Sequence, residues 1–164
     1  MKNKYKMNLS YNTKMTTLDM HVTKRNGEQE ILSYEKILER TKKLGERFNI
    51  VLDYSSLTMK VIDQLYNNIK TSQIDELMCE TCASLGTTDY DYYHLASALC
   101  ISNHQTEVSM DFVKNYERIF NNNEGYLSSS FLQIIKKHAS FFHNVLEYDR
   151  DYEIDFFGFK TLER

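Results

Sequence analysis

The sequence of 164 residues contains no proline and no tryptophan, and only five glycines and three cysteines. Because proline interrupts helices and glycine weakens them, their scarcity leaves most of the chain free to form helices. Three cysteines are too few for a disulfide framework, which indicates a reducing compartment. The chain also lacks an apolar signal core and any apolar run near the roughly 20 residues that cross a bilayer. We therefore expect a cytoplasmic protein with no membrane partner.

The net charge of −3 argues against a general nucleic-acid-binding surface. Hydrophobic residues make up 41% of the chain, and 12 tyrosines and nine phenylalanines add bulk, so a packed core is feasible. Any ligand that carries phosphates must therefore be bound by a local cluster of basic residues.

Two kinds of sequence pattern open the chain. Residues 1–19 are rich in Lys, Asn and Thr without a steady period, which predicts a disordered tail. From Met20 to Leu32, two strand-like runs flank Asn26-Gly27, a pair that favours a hairpin with a type I′ turn. Ser33 then offers an N-cap for the first helix.

Helical spacing of apolar residues predicts five further helices. They cover approximately residues 56–69, 72–85, 91–103, 112–120 and 130–146. The Ser72-x-x-Asp75 pattern is typical of a capping box, and Gly86 of a C-terminal stop. The polar cluster at 121–125 is the best candidate boundary. The aromatic and charged residues after 146 suggest packing against a surface outside this chain.

The charged residues around the hairpin suggest a ligand site. Lys24 and Arg25 end the first strand, and Lys36 lies in the first turn of the next helix. Cations near a helix N-terminus favour phosphate binding, because free backbone N–H groups add to their charge. Glu30 could accept a hydrogen bond from an adenine amino group. The alternative is a hairpin that carries ordinary solvated charges.

The stretch Val-Thr-Lys-Arg-Asn-Gly-Glu-Gln-Glu-Ile-Leu-Ser-Tyr-Glu-Lys-Ile at 22–37 resembles the opening of an ATP-cone. The resemblance continues through Thr-Met-Lys-Val-Ile at 58–62 and Lys-Thr-Ser-Gln-Ile-Asp at 70–75. Phe-Phe-Gly-Phe-Lys-Thr-Leu-Glu-Arg at 156–164 resembles the segment with which class I ribonucleotide reductase large subunits enter their catalytic region. The similarity therefore covers about residues 20–164.

This resemblance implies a mainly α fold with a small β-hairpin or three-stranded sheet capped by four helices. Residues 20–110 would form the ATP-cone, and 111–164 the start of the helical region that leads into a reductase barrel absent from this chain. The effector would be ATP or dATP, with Mg²⁺. The partners would be the rest of the large subunit, the radical-generating small subunit and a possible second copy of the chain.

The resemblance also implies individual ligand contacts. The phosphates would be bound by Lys24, Arg25 and Lys36. The adenine base would be recognised by Glu30 and by the backbone near Ser33. Val22 and Ile37 would pack on the base. Thr71 would lie near the phosphates or ribose and Asp75 by the sugar, although helix capping also explains both residues. The full implied set is Val22, Lys24, Arg25, Glu30, Ile31, Leu32, Ser33, Tyr34, Glu35, Lys36, Ile37, Thr71 and Asp75.

Other residues depart from the family or invite a different interpretation. Thr106 stands where the family commonly has a lysine, which puts one phosphate contact in doubt. Cys79, Cys82, Cys100 and His104 are spaced like zinc ligands, but Cys82 falls on an apolar helix face, so we expect no metal site. The Asp-Arg-Asp run at 149–151 favours structural ion pairs over catalysis.

We expect no catalytic residue and no reductase activity from this chain alone. The family's cysteine radical and dithiol pair cannot be located in the sequence. A free-standing nucleotide-sensing transcriptional regulator is the alternative, but that relative needs a four-cysteine ribbon before the cone, and residues 1–19 contain no cysteine. A helical interaction module with an incidental hairpin is a third possibility.

Overall fold

The computed structural model describes residues 20–122 and 127–163. The predicted tail at 1–19 lies outside these residues, as does most of the predicted turn at 121–125. Within the described ranges the chain is mainly α-helical with a small three-stranded sheet, which confirms the predicted fold class. No helix in these ranges is long and apolar enough to span a bilayer.

The described elements follow one another in a simple order. They are β1 (His21–Thr23), β2 (Gln29–Ile31), α1 (Tyr34–Arg47), α2 (Tyr54–Ile62), β3 (Ile69–Lys70), α3 (Thr71–Leu85), α4 (Tyr90–Glu107), α5 (Phe112–Asn122), α6 (Ser129–Lys137), α7 (Ala139–Val145), a 3₁₀ helix (Tyr148–Glu153) and α8 (Phe156–Leu162).

The predicted hairpin is present, but its turn is not of type I′. Strands β1 and β2 pair antiparallel, and the Lys24 N–H donates to the Glu28 carbonyl at 2.8 Å, which closes a three-residue loop. Gly27 has a φ of +86°, whereas Asn26 is not among the described residues with positive φ. Instead, the Asn26 side chain accepts from the Glu28 N–H at 3.1 Å. The left-handed Gly27 is typical of longer hairpin loops.

The helix predicted over 56–69 is wrong in its second half, because α2 ends at Ile62 and the chain enters the sheet. Two asparagines direct this change. The Asn67 side chain accepts from the His21 N–H at 2.8 Å, and the Asn68 N–H donates to the His21 carbonyl at 2.7 Å. Asn68 has a φ of +65°. Strand β3 then pairs parallel to β1, giving the order β2-β1-β3 and burying Ile69.

The predicted end of α3 is confirmed, because the helix ends at Leu85 with Gly86 as its C-cap, whereas its predicted start needs correction. The helix begins at Thr71, and the Gln73 side chain accepts from the Lys70 N–H at 3.2 Å, so Ser72 and Asp75 do not form a capping box. Gly86 has a φ of −59°, which is right-handed. A β-carbon there would lie 3.0 Å from Cβ of Tyr93, so Gly86 permits close packing at the start of α4.

Helix α4 is the centre of the molecule. All of its residues from 95 to 101 are buried, as expected for a helix surrounded by protein. Helices α1 and α3 pack against it, and so does α8. The buried side chains of the core include Val22, Leu57, Val61, Ile69, Ile74, Met78, Cys82, Leu95 and Leu99.

The C-terminal part differs from its predictions in two ways. The helix predicted over 130–146 is divided into α6 and α7 at His138, whose φ of −113° and ψ of 28° leave the helical region. The aromatic segment does not depend wholly on an outside surface, because Phe156 and Phe159 are buried in the core cluster. Phe157, at 68% exposure, still faces outward. The predicted ion pairs include one between Arg47 and Asp149, at 2.8 Å.

Candidate functional site

A cavity lies beside the hairpin, between α1, α3 and α4. Its empty volume is about 610 Å³, including the open space at its mouth. The apolar lining consists of Val22, Leu32, Ile37, Ile74, Met78 and Leu99. The polar lining consists of Glu30, Ser33, Lys36, Arg40, Thr41, Thr71 and Asp75. A pocket that is lined by both apolar and polar side chains suits a flat, partly polar ligand.

Most of the residues implied by the resemblance meet at this cavity. Those that line it are Val22, Glu30, Leu32, Ser33, Lys36, Ile37, Thr71 and Asp75. Lys24 and Arg25 do not line the cavity, but each forms an ion pair with a carboxylate that does. Lys24 Nζ is 3.0 Å from Glu30 Oε2, and Arg25 Nη2 is 3.0 Å from Asp75 Oδ2.

Three of the implied residues lie away from the cavity. Ile31 is 59% exposed, because strand alternation turns it outward while Glu30 and Leu32 face the cavity. Tyr34 and Glu35 open α1 on a side that does not line the cavity. The Glu35 carboxylate instead accepts from the Ser33 hydroxyl at 3.1 Å. Side-chain contacts to a ligand in the cavity are therefore not expected from these three positions.

Glu30 joins the hairpin to the start of α1. Its Oε2 lies 2.9 Å from Lys36 Nζ and 3.0 Å from Lys24 Nζ. Hydrogen bonds from Lys36 and then from Lys24 hold the pKa of Glu30 below its ordinary value. The hydrogen bond to Glu30 raises the pKa of Lys24 in turn. The Glu30 side chain is thus an ionised acceptor at the edge of the cavity, flanked by two cations.

Asp75 pairs with two arginines, as Glu30 pairs with two lysines. Its carboxylate, in the first turn and a half of α3, forms ion pairs with Arg25 from the hairpin loop and Arg40 from α1. Only 12% of its side chain is exposed. Arg25 also reaches Glu107 at 3.5 Å. Each of the two carboxylates at this site therefore holds two cations, and together they connect the hairpin, α1, α3 and α4.

The start of α1 adds a structural support to the site. The Ser33 side chain accepts from the Lys36 N–H at 3.3 Å, which confirms the predicted N-cap. This cap fixes the direction in which α1 leaves β2. Lys36, Ile37 and Arg40 therefore follow one another along the cavity wall.

The sequence reasoning missed several residues at the site: Arg40, Thr41, Ile74, Met78 and Leu99. Arg40 is the most informative, because its guanidinium reaches both Asp75 and Asn103. It follows Lys36 by four residues and Ile37 by three, so helical spacing places all three on neighbouring parts of one face. That spacing was the signal available for Arg40. The three apolar residues look like ordinary core positions.

The cysteines form a separate buried group. All three are free thiols, and burial raises the pKa of Cys82 to about 12. Cys79 also has a raised pKa, through its hydrogen bond with Cys100 and through burial. Among the described residues, no group of three or more His, Cys, Asp and Glu side chains is arranged to hold a metal ion. Thr106 uses its hydroxyl within α4, donating to the Ser102 carbonyl at 2.8 Å.

Comparison with known proteins is consistent with these features. A family model described as the ATP cone domain matches residues 20–107. The ribonucleoside-diphosphate reductase large chain of Cryptosporidium parvum is 34% identical over 151 residues, covering 88% of this chain and 19% of that protein. The large subunits of Danio rerio and Monkeypox virus are 36% and 35% identical over 153 residues each. These two matches also cover 88% of this chain, and 19% and 20% of the relatives.

Proposed function

The chain belongs to the ATP-cone family, and from this premise we propose that its cavity binds ATP or dATP as an allosteric effector of a ribonucleoside-diphosphate reductase. The observation that carries the proposal is the pairing of an apolar cavity with four cations gathered at its edge by Glu30 and Asp75. The apolar side chains of the cavity suit an adenine base, and the four cations suit a triphosphate.

The adenine ring is proposed to lie in the apolar part of the cavity. Val22 and Ile37 would pack on its faces, since both line the cavity, Val22 from β1 and Ile37 from α1. Glu30 would accept from the amino group of the base, because its lowered pKa keeps it ionised. The backbone near Ser33 would contact the remaining edge of the base.

The sugar and phosphates are proposed to lie towards α3. Thr71 opens this helix, where unpaired N–H groups and the helix dipole favour negative charge. Lys24, Arg25 and Lys36 would bind the phosphates, and Asp75 would lie beside the ribose. The phosphates must compete with Glu30 and Asp75 for these cations, so binding exchanges one set of ion pairs for another.

The effector is proposed to arrive with Mg²⁺ bound to its phosphates. Glu30 and Asp75 are the carboxylates of the cavity lining, and both are engaged by cations. Magnesium commonly keeps several waters and binds through phosphates together with one or two carboxylates. The chain would therefore supply at most a minor share of the metal's ligands.

The biological setting is also part of the proposal. The chain spans about 19% of the length of its reductase relatives, so we propose that it acts with the rest of the large subunit and the radical-generating small subunit. In that setting it would regulate the conversion of ribonucleotides to deoxyribonucleotides, in the cytoplasm, with a second copy as a possible partner. The similarity extends beyond residue 107 to 88% of the chain, which favours this function over a free-standing regulator.

The proposal is tested by isothermal titration of ATP and dATP into the full chain. Beside the wild type stands the double variant Lys24→Ala/Arg25→Ala, with Lys136→Ala/Lys137→Ala on α6 as a control for the same loss of charge. We expect the hairpin variant to bind both nucleotides at least about tenfold more weakly, because charge-assisted contacts to phosphate are stronger than neutral ones. The control should bind like the wild type.

Two results would contradict the proposal in different ways. If the wild type binds neither nucleotide at millimolar concentration, the cavity is not an adenine-nucleotide site. If the hairpin variant binds as tightly as the wild type, the nucleotide lies elsewhere on the chain.

A further inference from the structure

A single guanidinium group in the lining of the cavity connects three helices. Arg40 extends from α1 and donates through Nη1 to the Asp75 carboxylate on α3. Through Nη2 it donates to Asn103 Oδ1 on α4, at 2.6 Å. The planar guanidinium group offers several N–H donors in a fixed geometry, so two partners on different helices can hold it in place.

The second partner is itself held in one orientation. Asn103 Nδ2 donates to Cys79 Sγ on α3 at 3.4 Å, and Cys79 is 1% exposed. If the amide group turned over, its NH₂ would face the guanidinium and its oxygen would face a thiol, which is a weak donor. The sulfur thus selects the orientation in which Asn103 presents its oxygen to Arg40. This network reaches the cavity only through Arg40 and Asp75.

We propose that Arg40 and Asn103 are positioning residues that fix the Asp75 carboxylate beside the ligand's ribose and so determine how the site distinguishes ATP from dATP. This inference depends on the function proposed above. The two nucleotides differ by one 2′-hydroxyl group. A carboxylate discriminates between them only if its oxygens stay in place, because a mobile carboxylate adjusts to either sugar.

Asp75 has two arginine partners, but they are not equivalent. Arg25 lies on the hairpin loop, also reaches Glu107, and is proposed to turn to the phosphates when a nucleotide binds. Arg40 is anchored by Asn103 and lies on a helix. When Arg25 leaves, Arg40 alone orients the carboxylate. Lysine cannot replace it, since an ammonium group is a point charge without the planar fork that holds two partners.

The test measures the dissociation constants of ATP and dATP for the full chain and its variants by isothermal titration. Arg40→Lys keeps the charge but loses the fork, and Asn103→Ala keeps Arg40 but removes its anchor. The control is Lys43→Gln, a cation on the same helix that does not line this cavity. Thermal unfolding of each variant shows whether it is folded. If Arg40→Lys does not fold, Asn103→Ala provides the test by itself.

We expect the wild-type dissociation constants for the two nucleotides to differ. In both variants their ratio should move towards one by at least about threefold, while the control keeps the wild-type ratio. If the two residues have a merely structural role, each variant would weaken the binding of ATP and of dATP by the same factor. That result would overturn the inference. An unchanged ratio in both variants would overturn it too, and so would a wild-type ratio within about twofold of one.

These outcomes separate the inference from the proposed function. A wild type that binds neither nucleotide contradicts the nucleotide site itself. A wild type that binds and discriminates, with variants that keep its ratio, contradicts only the positioning role of Arg40 and Asn103.

Discussion

Replacing Gly45 with alanine tests how closely α1 packs on the segment that follows it. Gly45 is buried in the last part of α1. A β-carbon at this position would lie 2.0 Å from the Tyr54 hydroxyl oxygen and 2.7 Å from its Cζ atom. That hydroxyl donates to the Ile50 carbonyl at 2.5 Å. The ring therefore cannot keep its place, and the substitution must displace it or shift α1.

The expected magnitude follows from three contributions. Alanine favours a helix interior over glycine by about 1 kcal/mol. Forcing an added methyl group into a packed site costs about 1–3 kcal/mol. Loss of the hydrogen bond to Ile50 costs about a further 1 kcal/mol. We therefore expect Gly45→Ala to lower the free energy of unfolding by about 1–3 kcal/mol, with a fall in Tm of roughly 2–4 °C for each kcal/mol.

Urea denaturation followed by circular dichroism measures this effect in four chains: wild type, Gly45→Ala, Tyr54→Ala and the double variant. In the Tyr54→Ala background the ring is absent, so the alanine at 45 should stabilise the chain by up to about 1 kcal/mol. The change in the free energy of unfolding caused by Gly45→Ala should thus have opposite signs in the two backgrounds. If Gly45→Ala is as stable as the wild type, α1 has free space at this position and the packing argument is wrong.

Two further predictions concern the ion pair at the hairpin and the docking of α8. Because Lys36 contributes most to holding the pKa of Glu30 below 4.5, Lys36→Met should raise that pKa towards 4.5 in a carbon-13 NMR titration; an unchanged pKa would contradict this origin. Since the folded-state pKa is the lower one, the stability from these contacts is present above pH 4.5 and is lost as the pH falls through the folded-state pKa. Phe159→Ala should lower the free energy of unfolding in urea by about 3 kcal/mol, because this ring is 8% exposed and packs in the core. The neighbouring Phe157→Ala, at 68% exposure, should change it little, and equal effects would show that α8 does not pack as described.

The sequence predicted the local features well and the long-range ones poorly. The hairpin and the Ser33 cap depend on residues that are close in sequence, so their patterns were sufficient. Strand β3 was missed because it forms only by pairing with β1, some 45 residues away, as in the contact between Thr23 and Asn68. The same limit explains the end of α2, where sheet pairing overrides helical spacing.

For the candidate site, the same distinction applies at the level of single residues. Asp75 fitted a local capping pattern, yet its carboxylate pairs with Arg25 and Arg40, which lie 50 and 35 residues earlier. No local pattern contains that information. Ile31, by contrast, could have been placed outside the cavity from the sequence, because strand alternation turns it away from its neighbours.

The ion pairs at the cavity suggest how a ligand could act on the rest of the chain. In the structure, each of the four cations already forms an ion pair with Glu30 or Asp75. On the proposed function, phosphates that draw Arg25 away from Asp75 also detach the hairpin loop from α3 and α4, because Arg25 is the hairpin residue that reaches both Asp75 and Glu107. The ligand would then exchange contacts within the protein rather than fill an empty charged site. A ligand shifts a conformational equilibrium only through such differences in contacts between states, so these two carboxylates are where an allosteric signal would begin.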